Sequence, residues 1–275
     1  MSLGIAFKGP EGIVLAADSR VTLNAETPPI DGKIRIFSSA FDNATKLLKV
    51  NKQTHAGAVT YGLGALGQSE PRTTHSFLPE FEDSLLKKYG DIRLSVEEFS
   101  KGLSDFFMDQ WNQRMPKDYK GEPMLFLVGG YDVNAPYGRI FQVAVPNAPQ
   151  PIEKNAGQGE FGVTWGGQLE IATRLLSGFD PNLLNIVQQE LKLPQQQLTK
   201  LEEKLRMFLT LPIPFQFLPL QDCVDLSIYL IKTTIELQKW SLGIRGVGGA
   251  IDVATITRID GFTYIQRKEI KGDQL

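Results

Sequence analysis

A single cysteine, Cys223, and two histidines, His55 and His75, are all the thiol and imidazole that 275 residues contain. One thiol cannot form an internal disulfide, a CxxC zinc knuckle or an iron–sulfur site. Two imidazoles alone make no metal cluster, and each reads as a surface or partly buried ring. Cationic charge is not in excess either: 29 Lys and Arg face 31 Asp and Glu, for a formal charge of -2. With no basic run to neutralise a phosphate backbone, nucleic acid is not an expected partner. No basic segment followed by an apolar stretch opens the chain, and no apolar run is long enough to span a bilayer. The expected location is cytoplasmic, without membrane, metal or cofactor. What is present is an ordinary globular mixture, 42% hydrophobic and 22% charged, enough for a sizeable core in one domain over residues 1–275.

Gly4-Ile5-Ala6-Phe7, the turn Lys8-Gly9-Pro10-Glu11-Gly12 and Ile13-Val14-Leu15-Ala16-Ala17 read as a hairpin almost from the first residue. A polar stretch from Asn24 to Lys33 reads as a loop, and strands follow at 46–50 and 57–61. Glu80 to Tyr89 is helical, and Ser95-Val96-Glu97-Glu98 is a capping box opening a second helix that ends before Pro116. Met124 to Val128 and Arg139 to Val145 return to strand, the first as a continuous apolar run suited to burial on both faces. Helical patterns run over 168–176, from Asp180-Pro181 onward, over 197–209 and over 222–240. The prolines of 211–219 make that stretch an extended connector. A hairpin over 250–257 and 262–265 closes the chain. Strands and helices thus come in segregated runs, which predicts α+β layers rather than βαβ winding.

Gly62-Leu63-Gly64-Ala65-Leu66-Gly67 matches G-x-G-x-x-G, but a dinucleotide site needs a helix opening within the motif, and Pro71 follows instead. The cluster Ala16-Ala17-Asp18-Ser19-Arg20 has a plain reading, an ion pair at a strand end contributing little. Its surroundings point elsewhere. Ser2 lies on the neighbouring strand, and Lys46 heads a later one. A hydroxyl nucleophile needs a base, and an N-terminal serine carries its own, because an α-amine with pKa about 7.7–8.0 is partly neutral at physiological pH. Removal of Met1, favoured before small residues, would expose that amine. Lys46 would lower the pKa values of the hydroxyl and amine, Asp18 would hold Lys46 charged and oriented, and the N–H of Gly62 would stabilise an oxyanion. The missing Cβ of Gly62 would let a substrate carbonyl approach.

Gly12-Ile13-Val14-Leu15-Ala16-Ala17-Asp18-Ser19-Arg20-Val21-Thr22 resembles the first hairpin of proteasome subunits, especially the bacterial and archaeal β-type and shorter bacterial homologues. In that register Ser2 falls, without a gap, where β subunits carry their N-terminal threonine. Lys46 to Val50 resembles the strand bearing the catalytic lysine, Gly57 to Gly64 the strand and turn of the oxyanion glycine, Val128 to Asp132 the central strand, and Gly248 to Phe262 the closing motif. The resemblance implies a four-layer αββα sandwich, the N-terminal-nucleophile hydrolase fold. It also implies homo-oligomeric rings and hydrolysis of peptides or unfolded proteins through an acyl-enzyme, with an unfoldase as a further partner. Ser2, Asp18 and Lys46 then stand as catalytic, and Arg20 and Gly62 as supporting. Four departures accompany it. Serine replaces threonine, without the methyl group that restrains the rotamer. Gln158, Ile244 and Val247 stand where the family carries Ser, Asp and Ser. The polar segment 24–43 is longer than usual, and about 180–219 reads as an insertion. A catalytically silent structural subunit and a small-amide hydrolase are the alternative functions.

Overall fold

The computed structural model describes residues 2–26, 36–67, 70–243 and 245–272, so Met1, Ile244 and part of the polar stretch from Asn24 to Asn43 lie outside the described residues. β1 (Leu3–Lys8) and β2 (Ile13–Asp18) form the expected hairpin, every residue of both strands buried. β3 (Val21–Glu26) and β4 (Ile36–Phe41) pair with each other, so the segment expected as loop has paired strands on both sides of its prolines. The alternation in Val21-Thr22-Leu23-Asn24-Ala25 carries that signal, and Pro28 and Pro29 masked it. β5 (Leu47–Lys49) and β6 (Ala56–Gly62) follow, then the two-residue strands β7 (Ala65–Leu66) and β8 (Arg72–Thr73). No helix opens within Gly62 to Gly67, as dinucleotide binding would require.

α1 (Leu78–Tyr89) and α2 (Val96–Arg114) come next. The capping box of α2 is formed: Glu98 N–H donates to Ser95 Oγ at 3.2 Å, and Ser95 N–H donates to the Glu98 carboxylate at 2.8 Å. β9 (Met124–Gly130) and β10 (Arg139–Val145) are where the apolar runs put them. β11 (Ala148–Lys154) and β12 (Gly162–Gly167) were not legible. Pro149 and Pro151 argue against a strand, but β11 is the edge of its sheet, where a missing N–H breaks no ladder. The glycines of β12 hide it similarly.

α3 (Glu170–Ser177), α4 (Leu183–Leu191), α5 (Gln195–Leu209) and α6 (Leu220–Trp240) precede the closing hairpin of β13 (Ile251–Thr257) and β14 (Gly261–Gln266). α4 begins three residues after Asp180, whose carboxylate accepts the Asn182 N–H at 2.7 Å and thereby closes a turn ahead of the helix. Within the proline-rich connector a short 3₁₀ turn, Phe215–Phe217, sets the Phe215 ring edge-on to Phe7 at 5.6 Å. No helix among the described residues is long and apolar enough to cross a membrane.

Two five-stranded antiparallel sheets result, in the orders β12-β1-β2-β13-β14 and β11-β10-β9-β6-β5. Strand side chains alternate between faces, and the central strands of both sheets are buried on both faces, while the edge strands β11 and β14 are partly exposed. Leu3, Ile5, Phe7, Val14 and Ala16 pack with Cys223, Val224, Leu230 and Ile231 of α6. The alternate residues Ala6, Ile13, Leu15 and Ala17 instead meet Leu47, Val59, Leu127 and Ile140 of the other sheet. Phe126 and Val128 of that sheet pack against Phe81 of α1 and Phe99, Phe107 and Trp111 of α2.

Leu127 is fully buried between the sheets, so Leu127→Ala is expected to cost about 3 kcal/mol. Ser95→Ala, which removes one helix cap, should cost about 1 kcal/mol. Urea unfolding of the two variants should show that ordering.

Candidate active site

Ser2 precedes β1 by one residue and is 4% exposed. Its carbonyl accepts the Gln168 N–H at 2.8 Å, and the next N–H along, that of Leu3, donates to Asp18 Oδ1 at 3.0 Å. A residue just outside a strand frays unless tied down. Here bonds to β2 and to the residue following β12 hold its backbone from both sides.

Asp18 ends β2 opposite that point, since Gly4 pairs with Ala17. Its carboxylate is 1% exposed for the whole residue and fully satisfied. Oδ1 accepts Leu3 N–H and the Lys46 ammonium at 2.7 Å, while Oδ2 accepts Arg20 N–H at 3.1 Å and Gly248 N–H at 3.0 Å. Three backbone donors and one cation on two oxygens hold it immobile.

Lys46 is 5% exposed, immediately before β5. Burial pushes its ammonium below the ordinary lysine range, and the Asp18 carboxylate opposes this without cancelling it. Desolvation outweighs the pair, so Lys46 releases its proton more easily than a free lysine, while the bond to Asp18 keeps it oriented.

Gly62 closes β6 with φ of +74°, and a Cβ there would sit 2.5 Å from the Pro123 carbonyl. The backbone itself thus demands glycine at this position, in addition to any need of a substrate. Ser2, Lys46 and Gly62 line one cavity of about 750 Å³, together with Thr22, Thr60 and His75.

Arg20 takes no side-chain part in that cavity. Its guanidinium forms a bidentate pair with Asp42 at 2.6 and 2.7 Å and caps the Arg245 carbonyl at 3.3 Å, lining a separate hollow. Only its N–H reaches Asp18, so the plain reading of an Asp18–Arg20 ion pair gives way to Lys46–Asp18 and Arg20–Asp42. Gly248 lies against the Arg20 guanidinium where any Cβ would collide, and Gly249, at φ +73°, passes equally close to the Asp42 backbone. These glycines let the chain deliver the Gly248 N–H to Asp18.

Asp42 and His75 were missed. Asp42 lies in a polar stretch with no local pattern. His75, taken for an incidental imidazole, borders the cavity, and burial, with the charges of Arg267 and Lys268, lowers its pKa. His55 fits the bland reading: it is buried, with Nε2 2.7 Å from the Leu94 carbonyl. Val247 is 1% exposed within an apolar cluster, Gln158 is exposed, and Ile244 lies outside the described residues.

No family profile matches the sequence, and no curated protein matches it either. A solved structure does, over nearly the whole chain. It is an Anbu mutant from Hyphomicrobium sp. strain MC1, with a TM-score of 0.53, 15% sequence identity, and coverage of 99% of this chain and 88% of that one. At that identity the likeness is one of fold. Anbu is a bacterial proteasome-like protein related to the N-terminal-nucleophile hydrolases, and the fold of this chain is accordingly proteasome-like.

Asp18→Ala leaves a buried ammonium and three N–H groups without their acceptor, and should destabilise the protein by about 3–5 kcal/mol in urea unfolding. A loss under about 1 kcal/mol would contradict the hub role.

Proposed function

We propose that the chain is a Ser2-dependent N-terminal-nucleophile hydrolase that cleaves peptide bonds, built as a single four-layer αββα domain and working in a homo-oligomeric ring. The observation that carries this reading is the convergence of Ser2, Lys46 and Gly62 on one cavity, with Asp18 braced behind Lys46. The assembly's substrates would be peptides or unfolded protein, the latter delivered by an unfoldase. A volume of about 750 Å³ has room for several side chains, which favours a peptide over a small amide.

In this mechanism, removal of Met1 frees the Ser2 amine. The hydroxyl attacks the substrate carbonyl carbon as its proton passes to the neutral amine, with Lys46 supplying or relaying charge beside it. The oxyanion takes the Gly62 N–H. Collapse breaks the C–N bond, the leaving amine departs with the proton, and an ester remains on Ser2. Water then attacks the ester by the same route, the C–O bond breaks, and the acid leaves. The Ser2 amine must be neutral to accept the proton, so activity falls as pH drops through its folded-state pKa. Lys46 supplies its charge only while protonated, so activity falls again as pH rises through the Lys46 pKa, and burial places that upper limb below the ordinary lysine range.

A second reading has a specific observation behind it. Val247 is apolar and buried, and Gln158 is exposed, so two positions where β subunits carry serine offer no hydroxyl here. That favours a silent structural subunit of the same assembly.

Intact mass of the native protein, followed by β-lactone labelling, separates the readings. The expected result is loss of Met1 and one adduct on Ser2. Ser2→Ala should abolish both labelling and peptide cleavage, and Lys46→Met should lower kcat/KM by about 10³-fold. Retained Met1 with no adduct would favour the silent subunit, and full activity in Lys46→Met would refute the role assigned to Lys46.

A further inference from the structure

A second buried ion pair lies one residue from Asp18. β13 runs antiparallel to β2 with Ile251 opposite Asp18 and Asp252 opposite Ala17. Asp252, 2% exposed, accepts the Lys268 N–H at 2.9 Å and pairs with the Lys268 ammonium. The same ammonium donates to Ser19 Oγ at 3.2 Å. Ser19 is fully buried and sits inside the Asp18 hub: its N–H donates to the Gly248 carbonyl at 3.0 Å, and its carbonyl accepts the Ala44 N–H at 2.9 Å. Lys268 comes two residues after β14, and Gln266 also folds back, donating to the Ile251 carbonyl at 2.7 Å. The chain beyond the closing hairpin is therefore a strap laid across the start of β13, and it inserts one ammonium beside the turn that carries Asp18.

We propose that Lys268 is a positioning residue of the Ser2 site: pinned by Asp252, it holds the Ser19 turn and acts as a second cation working against Lys46. The proposal rests on the hydrolase reading for its catalytic use, but its physical content does not. A buried pair that only stapled the strap would do so without regard to Lys46. Here the Lys268 charge disfavours the Lys46 ammonium and Asp252 favours it, and the Lys268 charge also bears on His75 at the cavity wall. The charged groups facing Lys46 are Asp18 on β2, Asp42 after β4, Asp252 on β13 and Lys268 after β14. Removing one member of the Asp252–Lys268 pair thus changes the balance at Lys46 with a sign that depends on which member goes.

The test follows the Lys46 side chain by NMR titration of the full-length protein with ¹³C-labelled lysine, its resonance assigned by loss in Lys46→Arg. Lys268→Met removes a cation and leaves Asp252 unpaired, so the Lys46 midpoint should rise by about one pH unit. Asp252→Asn should lower it by a similar amount, and Lys268→Arg should restore the wild-type value. Lys268→Gln keeps an N–H donor for Asp252 and carries the same expectation should Lys268→Met fail to fold. The pH dependence of β-lactone labelling should move in the same directions. Opposite shifts in the two charge-removing variants support the coupling. No shift, or shifts of one sign, in folded variants overturn it. Absence of labelling in the wild-type protein sinks the hydrolase reading instead, and with it any catalytic use of Lys268.

Discussion

One carboxylate organises this molecule. Asp18 gathers an N–H from the start of β1, an N–H from its own turn, an N–H from the glycine loop before β13 and an ammonium from the head of β5. These four donors come from segments up to 230 residues apart, so a single buried charge fixes how the two sheets meet at one end. Burying it is tolerable only because every lone pair is used. The arrangement also explains why Ser2 is ordered: the bond that satisfies Asp18 is the one that anchors the residue following Ser2.

Lys46 gains its character from the same contact. A free lysine is a strongly hydrated cation, and stripping that hydration favours the neutral amine. Asp18 supplies enough attraction to orient the side chain but not enough to restore its ordinary proton affinity. A lysine in that condition gives up its proton more readily than one on the surface. Arg20 serves a different end, because its guanidinium remains charged and its planar fork fits Asp42, locking the turn from outside.

Much of this was legible in the sequence wherever a short pattern carried it. The first hairpin, the capping box at Ser95 and the apolar run of β9 follow from neighbouring residues and their register, whereas the grouping of Ser2, Lys46 and Gly62 came from the resemblance to proteasome subunits and not from any local pattern. What was not legible depends on partners distant in the chain. Asp42 gains meaning only from Arg20, Lys268 only from Asp252 and Ser19, and His75 only from the wall it helps to form. β11 was hidden because the proline rule is relaxed at a sheet edge, and an edge is a property of the sheet, not of the seven residues. The direction of the Lys46 shift likewise needed its burial, which no local pattern states.

The helices α4 and α5 contribute almost nothing to the apolar interior: α4 buries no residue, and α5 buries only Leu198. Met207, Phe208 and Leu211 stand exposed at the end of this stretch. The segment and the Ser2 end of the sheets therefore draw on separate sets of residues, joined by backbone ties such as that from Leu211 to Leu176. Mutation in one is nearly invisible to the other. A segment so loosely built into the core can change length or sequence at little cost to the packing around Ser2, which leaves its exposed apolar residues free to meet a partner the rest of the fold does not dictate.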